Sequence, residues 1–288
     1  PADLPAQGPG SREVRRASIW WESVLMIIAE PKRIASNGQH WYTLTGEACH
    51  VQPGGKPTTL REARKQNLVP SVSGVLGMIE KPHLTKWKCD RMVRKCLENP
   101  HIDGEPGQDY IDRIHGYAKI DQHEILDFGN RVHKAIEEFN LNKFDESQDP
   151  AIWPWLETYV RWTHDRLIRV VAVEKTVVSN RWGFGGTIDL IAEVRGIKGL
   201  VVIDYKTQEY AKKPAFHKEY SYQLAAYRKT MRPNPRCISL VINRSEPRPI
   251  AEKIWQPPEL QRGWRVFKAA NKLWQETKKY VPERESDQ

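Results

Sequence analysis

The feature that most restricts what this chain can become is a pair of apolar runs, residues 187–194 (TIDLIAEV) and 200–205 (LVVIDY), joined by Arg195-Gly196-Ile197-Lys198-Gly199. Short apolar, β-branched runs on either side of a small glycine-containing loop form an antiparallel hairpin. Counting outward from Ile197, Asp189 lies eight residues back and Asp204 seven forward, so the hairpin sets the two carboxylates nearly opposite each other. Opposed side chains on adjacent strands have Cβ atoms about 4.5–5.5 Å apart on one face, where like charges repel. A divalent cation between them resolves the conflict, and an oxygen-rich donor set suits Mg2+ or Mn2+, as one ion or two. Lys206, two residues beyond Asp204, leaves the strand on the same face. An ammonium there can orient an attacking water and offset charge building on a scissile phosphate. Taken alone, Asp204-Tyr205-Lys206 reads more readily as a same-face ion pair, and a strand aspartate as a bulge or edge residue. The opposed Asp189 tips the reading toward metal-assisted phosphodiester hydrolysis.

The rest of the chain reads as helices around this hairpin. A stripe of Ile125, Phe128, Val132, Ile136 and Phe139 predicts a helix over 121–140, and a second is expected over about 151–168. Strands are expected at VVAVEKTVVSN (170–180) and CISLVIN (237–243), with a helix between them at KEYSYQLAAYRKTM and a long basic helix closing the chain. Residues 69–99 read as helical segments broken at Pro82, and 100–121 as a polar loop. Near the start, SIWWESVLMIIA and HWYTL flank the turn-forming SNGQ as a hairpin, and LREARKQNL reads as a short helix. The pattern predicts a mixed α+β fold with a central sheet of about five strands flanked by helices and an N-terminal β-containing accessory region. The expected division is 1–11 as an expression-tag remnant, 12–69 as the accessory region and 70–288 as the catalytic domain. Within the last, 70–120 is a helical cover and 121–288 the core and C-terminal helix. GGKPT (54–58) lacks the first glycine of a phosphate-binding loop and is rejected as one.

Composition narrows the setting. The 45 Lys and Arg against 36 Asp and Glu give a net charge of +9, which favours a polyanionic partner. No apolar stretch reaches the roughly 18 residues of a membrane span, so no membrane association is expected. Cys49, Cys89, Cys96 and Cys237 form no C-x-x-C pair and read as reduced thiols of a cytoplasmic protein. Tryptophans interleaved with basic residues, as in WKCDRMVRK, could stack on bases, although packing of helices against the sheet is the stronger reading.

His133 shares a helix face with Gly129, Ile136 and Glu137. Glycine at 129 would let that helix approach another backbone and bring the imidazole to a site on the sheet. By itself such a histidine is more often a satisfied surface residue.

GNRVHKAIE, GGTIDLI, VVIDYKT and YQLAAY, in this order, resemble the RecB-like branch of the PD-(D/E)XK nuclease superfamily. The ordered set spans 129–227, and TLREARKQNLVPSVSGVLGMIEKPHLTKW extends the likeness to about residue 59, where it resembles stand-alone phage exonucleases. The resemblance implies a restriction-endonuclease-like core with Asp189, Asp204 and Lys206 on one sheet face beneath His133. It implies His133, Asp189, Asp204 and the Tyr205 carbonyl as metal ligands, Lys206 as the catalytic lysine, and Gln223 and Tyr227 along the DNA path. Tyr227 reads also as a core aromatic, and Glu174 as either an acidic neighbour of the site or a surface residue. Some relatives hold an iron–sulfur cluster with cysteines near the C-terminus; nothing after Cys237 is cysteine, so no cluster is expected. The implied activity is a metal-dependent DNA exonuclease acting on single strands or free ends in replication, recombination or repair. Strand separation would come from a recombination or helicase partner. A double-strand-resecting exonuclease feeding an annealing protein, and a silent nucleic-acid-binding module, are the alternatives.

Overall fold

The computed structural model describes residues 40–145, 147 and 149–283. The expected tag remnant and SIWWESVLMIIA lie outside the described residues. HWYTL supplies only a two-residue strand, β1 (Trp41–Tyr42), and its partner is β2 (Val69–Pro70). Between them LREARK forms α1 (Leu60–Lys65), started by a capping box in which the Thr59 hydroxyl accepts from Glu62 N–H and Glu62 accepts from Thr59 N–H.

Five strands form one sheet in the order β3 (Leu167–Ser179), β4 (Phe184–Val194), β5 (Leu200–Gln208), β6 (Arg236–Asn243), β7 (Ala251–Ile254). Neighbours are antiparallel except β5 and β6, which run parallel. A parallel pair needs a crossover, and α6 (Lys218–Lys229) supplies it. β5 is central, and Val201 through Tyr205 are all buried, as its unbroken apolar run requires. β7 was not foreseen: AEKI is four half-buried residues without an apolar pattern. It gains its place by pairing with β6 and through Glu252, which accepts from Trp162 Nε1 (2.8 Å) and Arg166 Nη2 (2.7 Å).

Each sheet face carries its own core. On one, Leu190, Ala192, Ile203, Tyr205 and Leu240 pack against the second half of α4 (Gly107–Asn140) and against α5 (Trp153–Arg166). On the other, Ile191, Val202 and Cys237 pack against α6, α7 (Pro257–Lys278) and the short α2 (Val72–Leu76). At about 25 cal/mol per Å² of apolar surface, these two layers supply most of what holds the sheet.

Pro82 opens α3 (Pro82–Glu98), where its missing N–H costs nothing, so it begins a helix where the sequence suggested a break. The expected loop over 100–121 is helical from Gly107 onward, continuous with the predicted 121–140 helix. The helix was missed because its first half buries only Ile114 and so shows no apolar stripe. That half pairs with α3 as an arm. Asp121 accepts from Arg91 and from Lys95 (3.1 Å), and Arg113 binds Glu105 (2.8 Å).

Candidate active site

The β4–β5 hairpin has the anticipated loop, and its pairs run from Glu193–Leu200 to Leu190–Ile203. One more step in that register sets Asp189 opposite Asp204. The ladder stops there, because the Asp189 carboxylate turns inward and accepts from Tyr205 N–H (2.8 Å). On the other side of β4 the pairing with β3 skips Glu174, which has a positive φ of 48°. The β5 ladder therefore ends at Asp189, while the β3 ladder omits that one pair and resumes at Lys175–Ile188. The Tyr205 carbonyl, which in an extended strand points the same way as its N–H, faces the same opening.

Asp204 is 2% exposed. Its Oδ1 accepts from Lys206 Nζ at 2.6 Å, while its Oδ2 is buried without a hydrogen-bond partner. Burial pushes the carboxyl up to about 6, against the pull of Lys206 and with the help of Asp189. Lys206 lies over the ring of Tyr220 at 5.6 Å, and burial and the Asp204 charge raise that phenol to about 12. Tyr220 carries no sequence signature of its own; its spacing of three residues from Gln223, on one face of α6, is the signal that could have flagged it.

His133 Nδ1 is 4.0 Å from Asp189 Oδ2, and its ring meets that of Tyr205 edge-on. Gly129 permits this approach, since a Cβ there would stand 3.2 Å from Thr207 Oγ1 on β5. The expected placement of all three sheet residues beneath His133 is corrected in one respect. Asp204 and Lys206 face α6, whereas α4 brings His133 from the opposite face of the sheet. The two sides meet at Asp189, where the β5 ladder ends.

Gln223 and Tyr227 lie on one face of α6, with Gln223 Nε2 donating to the Tyr227 hydroxyl at 3.2 Å. Tyr227 is buried, and burial raises its phenol well above the ordinary value. Its ring abuts Gly186, where a Cβ would come within 2.6 Å of Cε1. This explains the second glycine of GGTIDL. Gln223 is the more exposed of the two.

The residues present fit a divalent cation. An unpartnered buried carboxylate oxygen costs free energy that a cation would recover, and a second carboxylate and a backbone carbonyl border the same opening. The described residues also contain a tighter ligand cluster that the sequence did not suggest. Atoms of His83, His217 and Glu219 lie within 4.8 Å of one another. Tyr220 neighbours both places, with His217 edge-on to its ring at 5.5 Å and Lys206 Nζ 5.6 Å from its centre.

The sequence model of the PD-(D/E)XK nuclease superfamily matches residues 150–283, which hold α5, all five sheet strands, α6 and α7. No curated protein sequence matches the chain. A crystal structure of a candidate exonuclease from Eubacterium rectale is similar over 55% of this chain and 70% of its own, at 13% identity and a TM-score of 0.38. The structure of SSO0001 is similar over 77% of this chain and 90% of its own, at 16% identity and a TM-score of 0.24. Overlap of that extent is partial, and the assignment rests on the sequence match. His133 lies upstream of the matched residues, whereas Asp189, Asp204, Lys206, Gln223 and Tyr227 lie within them. The matched segment, which holds the five-stranded sheet and its paired aspartates, is similar to the PD-(D/E)XK nuclease superfamily.

Proposed function

We propose that the chain is a metal-dependent DNA exonuclease of the RecB-like, stand-alone phage type, acting on single strands or free ends. The observation that carries this reading is the buried, unpartnered Oδ2 of Asp204 beside the opposed Asp189 and the Lys206 ammonium. A divalent cation, the cofactor class of the superfamily, would supply Lewis-acid activation of water and neutralisation of phosphate charge. Mg2+ or Mn2+ suits the donors, which would be Asp189, Asp204, the Tyr205 carbonyl and His133. Asp189 keeps its orientation through Tyr205 N–H, so its remaining lone pairs stay aimed at the opening. Lys206 gives up its bond to Asp204 Oδ1 to face the phosphate, and the Tyr220 ring holds the ammonium as it turns. Tyr227 fixes Gln223, which lines the DNA path.

The preference for single strands is supported by the α3–α4 arm, where Trp87, Lys88, Arg91 and Lys119 line one concavity. The setting proposed is intracellular DNA replication, recombination or repair, with strand separation supplied by a partner protein.

Digestion of end-labelled single- and double-stranded DNA with Mg2+, Mn2+ or chelator, beside Asp204→Ala, tests the proposal. Metal-dependent release of nucleotides from a labelled end, lost in the variant, is expected. Binding without cleavage, the same in both proteins, would leave a silent nucleic-acid-binding module.

A further inference from the structure

Three groups that the hydrolytic site does not use converge where the arm meets the body. His83 stands in the first turn of α3, and His217 and Glu219 stand at the N-cap and in the first turn of α6. A ring nitrogen of each histidine and a carboxylate oxygen of Glu219 lie within 4.8 Å of one another. The two imidazoles stack at 3.9 Å with 10° between their planes.

Stacked imidazoles cannot both carry charge cheaply, and burial together with His83 lowers the pKa of His217. The hydrogen bonds agree. The Gln208 side-chain oxygen accepts from Ala215 N–H (2.8 Å), which turns its amide nitrogen toward His217 Nε2 at 3.1 Å. A donor facing Nε2 leaves the lone pair on that nitrogen, in the neutral form a metal binds. A cation taking it displaces the amide, which retains the Ala215 carbonyl at 3.3 Å. His83 is exposed and can rotate to complete the set.

We propose that His83, His217 and Glu219 form a second cation site, selective for Zn2+ and similar borderline transition metals, that clips the arm helix α3 to α6. Two imidazoles and one carboxylate are a ligand set that Zn2+ accepts with its fourth position left to water. Mg2+ is a poor fit, because it demands an octahedron of oxygens. The aspartate site near Tyr220 offers mainly oxygen, so the two sites differ in the metals they select. Occupied, the clip fixes the start of the arm against the helix that carries Gln223 and Tyr227. Empty, it leaves the arm held there by ring stacking alone among these three side chains.

The test titrates the full-length, chelator-stripped chain with Co2+ in excess Mg2+, following the visible d–d absorption of the bound ion, with Zn2+ as competitor. The proteins are wild type, Asp204→Asn, His83→Gln and His217→Gln. One Co2+ per chain, displaced by Zn2+, is expected in wild type and in Asp204→Asn. In both histidine variants its affinity should fall by about tenfold or more. Far-UV circular dichroism of the metal-free proteins verifies folding, and exposed His83 is the variant least able to disturb it. Zn2+ should slow proteolysis within 82–98 in wild type and leave His83→Gln unprotected. A Co2+ signal absent from wild type, unchanged by His83→Gln, or abolished by Asp204→Asn would overturn the proposal.

Discussion

β5 and α3 are opposites in how they are held. Val201 through Tyr205 are buried in succession, while the 17 residues of α3 include no buried side chain. Leu84, Val93 and Leu97 on α3, Ile111 and Ile120 on the first half of α4 and Leu126 just past its midpoint are exposed instead. The centre of the sheet is fixed by apolar packing on both faces, which tolerates a half-satisfied carboxylate in its midst. The arm is fixed by partly exposed ion pairs around Asp121 and Glu105, which salt screens and which contribute less than apolar burial does. A change in the sheet should therefore be felt in chemistry and global unfolding, and a change in the arm only locally.

The largest effect expected is on chemistry. Lys206→Ala should lower the rate of DNA cleavage by about 10²–10³-fold, the scale seen when one charge-stabilising group is removed, with DNA binding retained. Single-turnover rates beside a binding isotherm measure both, and cleavage unaffected by the change would remove Lys206 from the chemistry.

Next comes the packing beneath Tyr227. Gly186→Ala places a methyl group 2.6 Å from the Tyr227 ring and should cost about 1–3 kcal/mol in urea unfolding. The same change should displace Gln223 through its bond to Tyr227. An unchanged unfolding midpoint would show that the sheet is less tightly determined than its burial suggests.

A smaller effect follows pH. His50 accepts from Trp41 N–H (3.1 Å), and burial, with His40 next, holds its pKa down to about 4. The unfolded chain binds a proton there near 6.5 and the folded chain does not. The contribution of His50 is thus fully present above about 6.5 and is lost as pH falls toward 4. His50→Gln should flatten the fall in urea midpoint between pH 7 and pH 5, and parallel slopes in the two proteins would place the titration elsewhere.

The smallest global effect belongs to the arm. Asp121→Asn removes the negative charge shared by Arg91 and Lys95 and should speed hydrogen exchange in α3 and the first half of α4 while leaving the unfolding midpoint in place. Raised salt should do the same to the wild type. A shift of the global midpoint would break the contrast between arm and sheet.

The same contrast decides what could be read from the sequence. The hairpin 187–205 was legible because its register follows from a short loop and an alternation that burial enforces; the observed ladder ends at Leu190–Ile203, one step short of Asp189 and Asp204, in the register that was expected. The first half of α4 was not, since Ile114 is its only buried residue and periodicity reports burial alone. β7 escaped for the same reason. Within the site, Asp204 and Lys206 were visible as charges inside an apolar run. Glu174 was visible as an oddity in VVAVEKTVV, but its positive φ, at the one pair the β3–β4 ladder omits, has no signature in a non-glycine residue. That α4 lies on the opposite sheet face from Asp204 depends on tertiary packing. So does the meeting of His83 with His217, whose positions are far apart in sequence.

The unbroken length of α4 has a mechanical consequence. At 1.5 Å per residue its 34 residues span about 51 Å. Its contact with β5 at Gly129 divides it into a long limb of about 33 Å toward Gly107 and a short one of about 6 Å to His133. As a lever pivoting at that contact, a tilt of about 5° carries the far end roughly 3 Å but His133 only about 0.5 Å. Any tilt of the arm would thus be felt far less at the imidazole beside Asp189 than at Gly107, a gearing that comes from where the glycine lies along the helix.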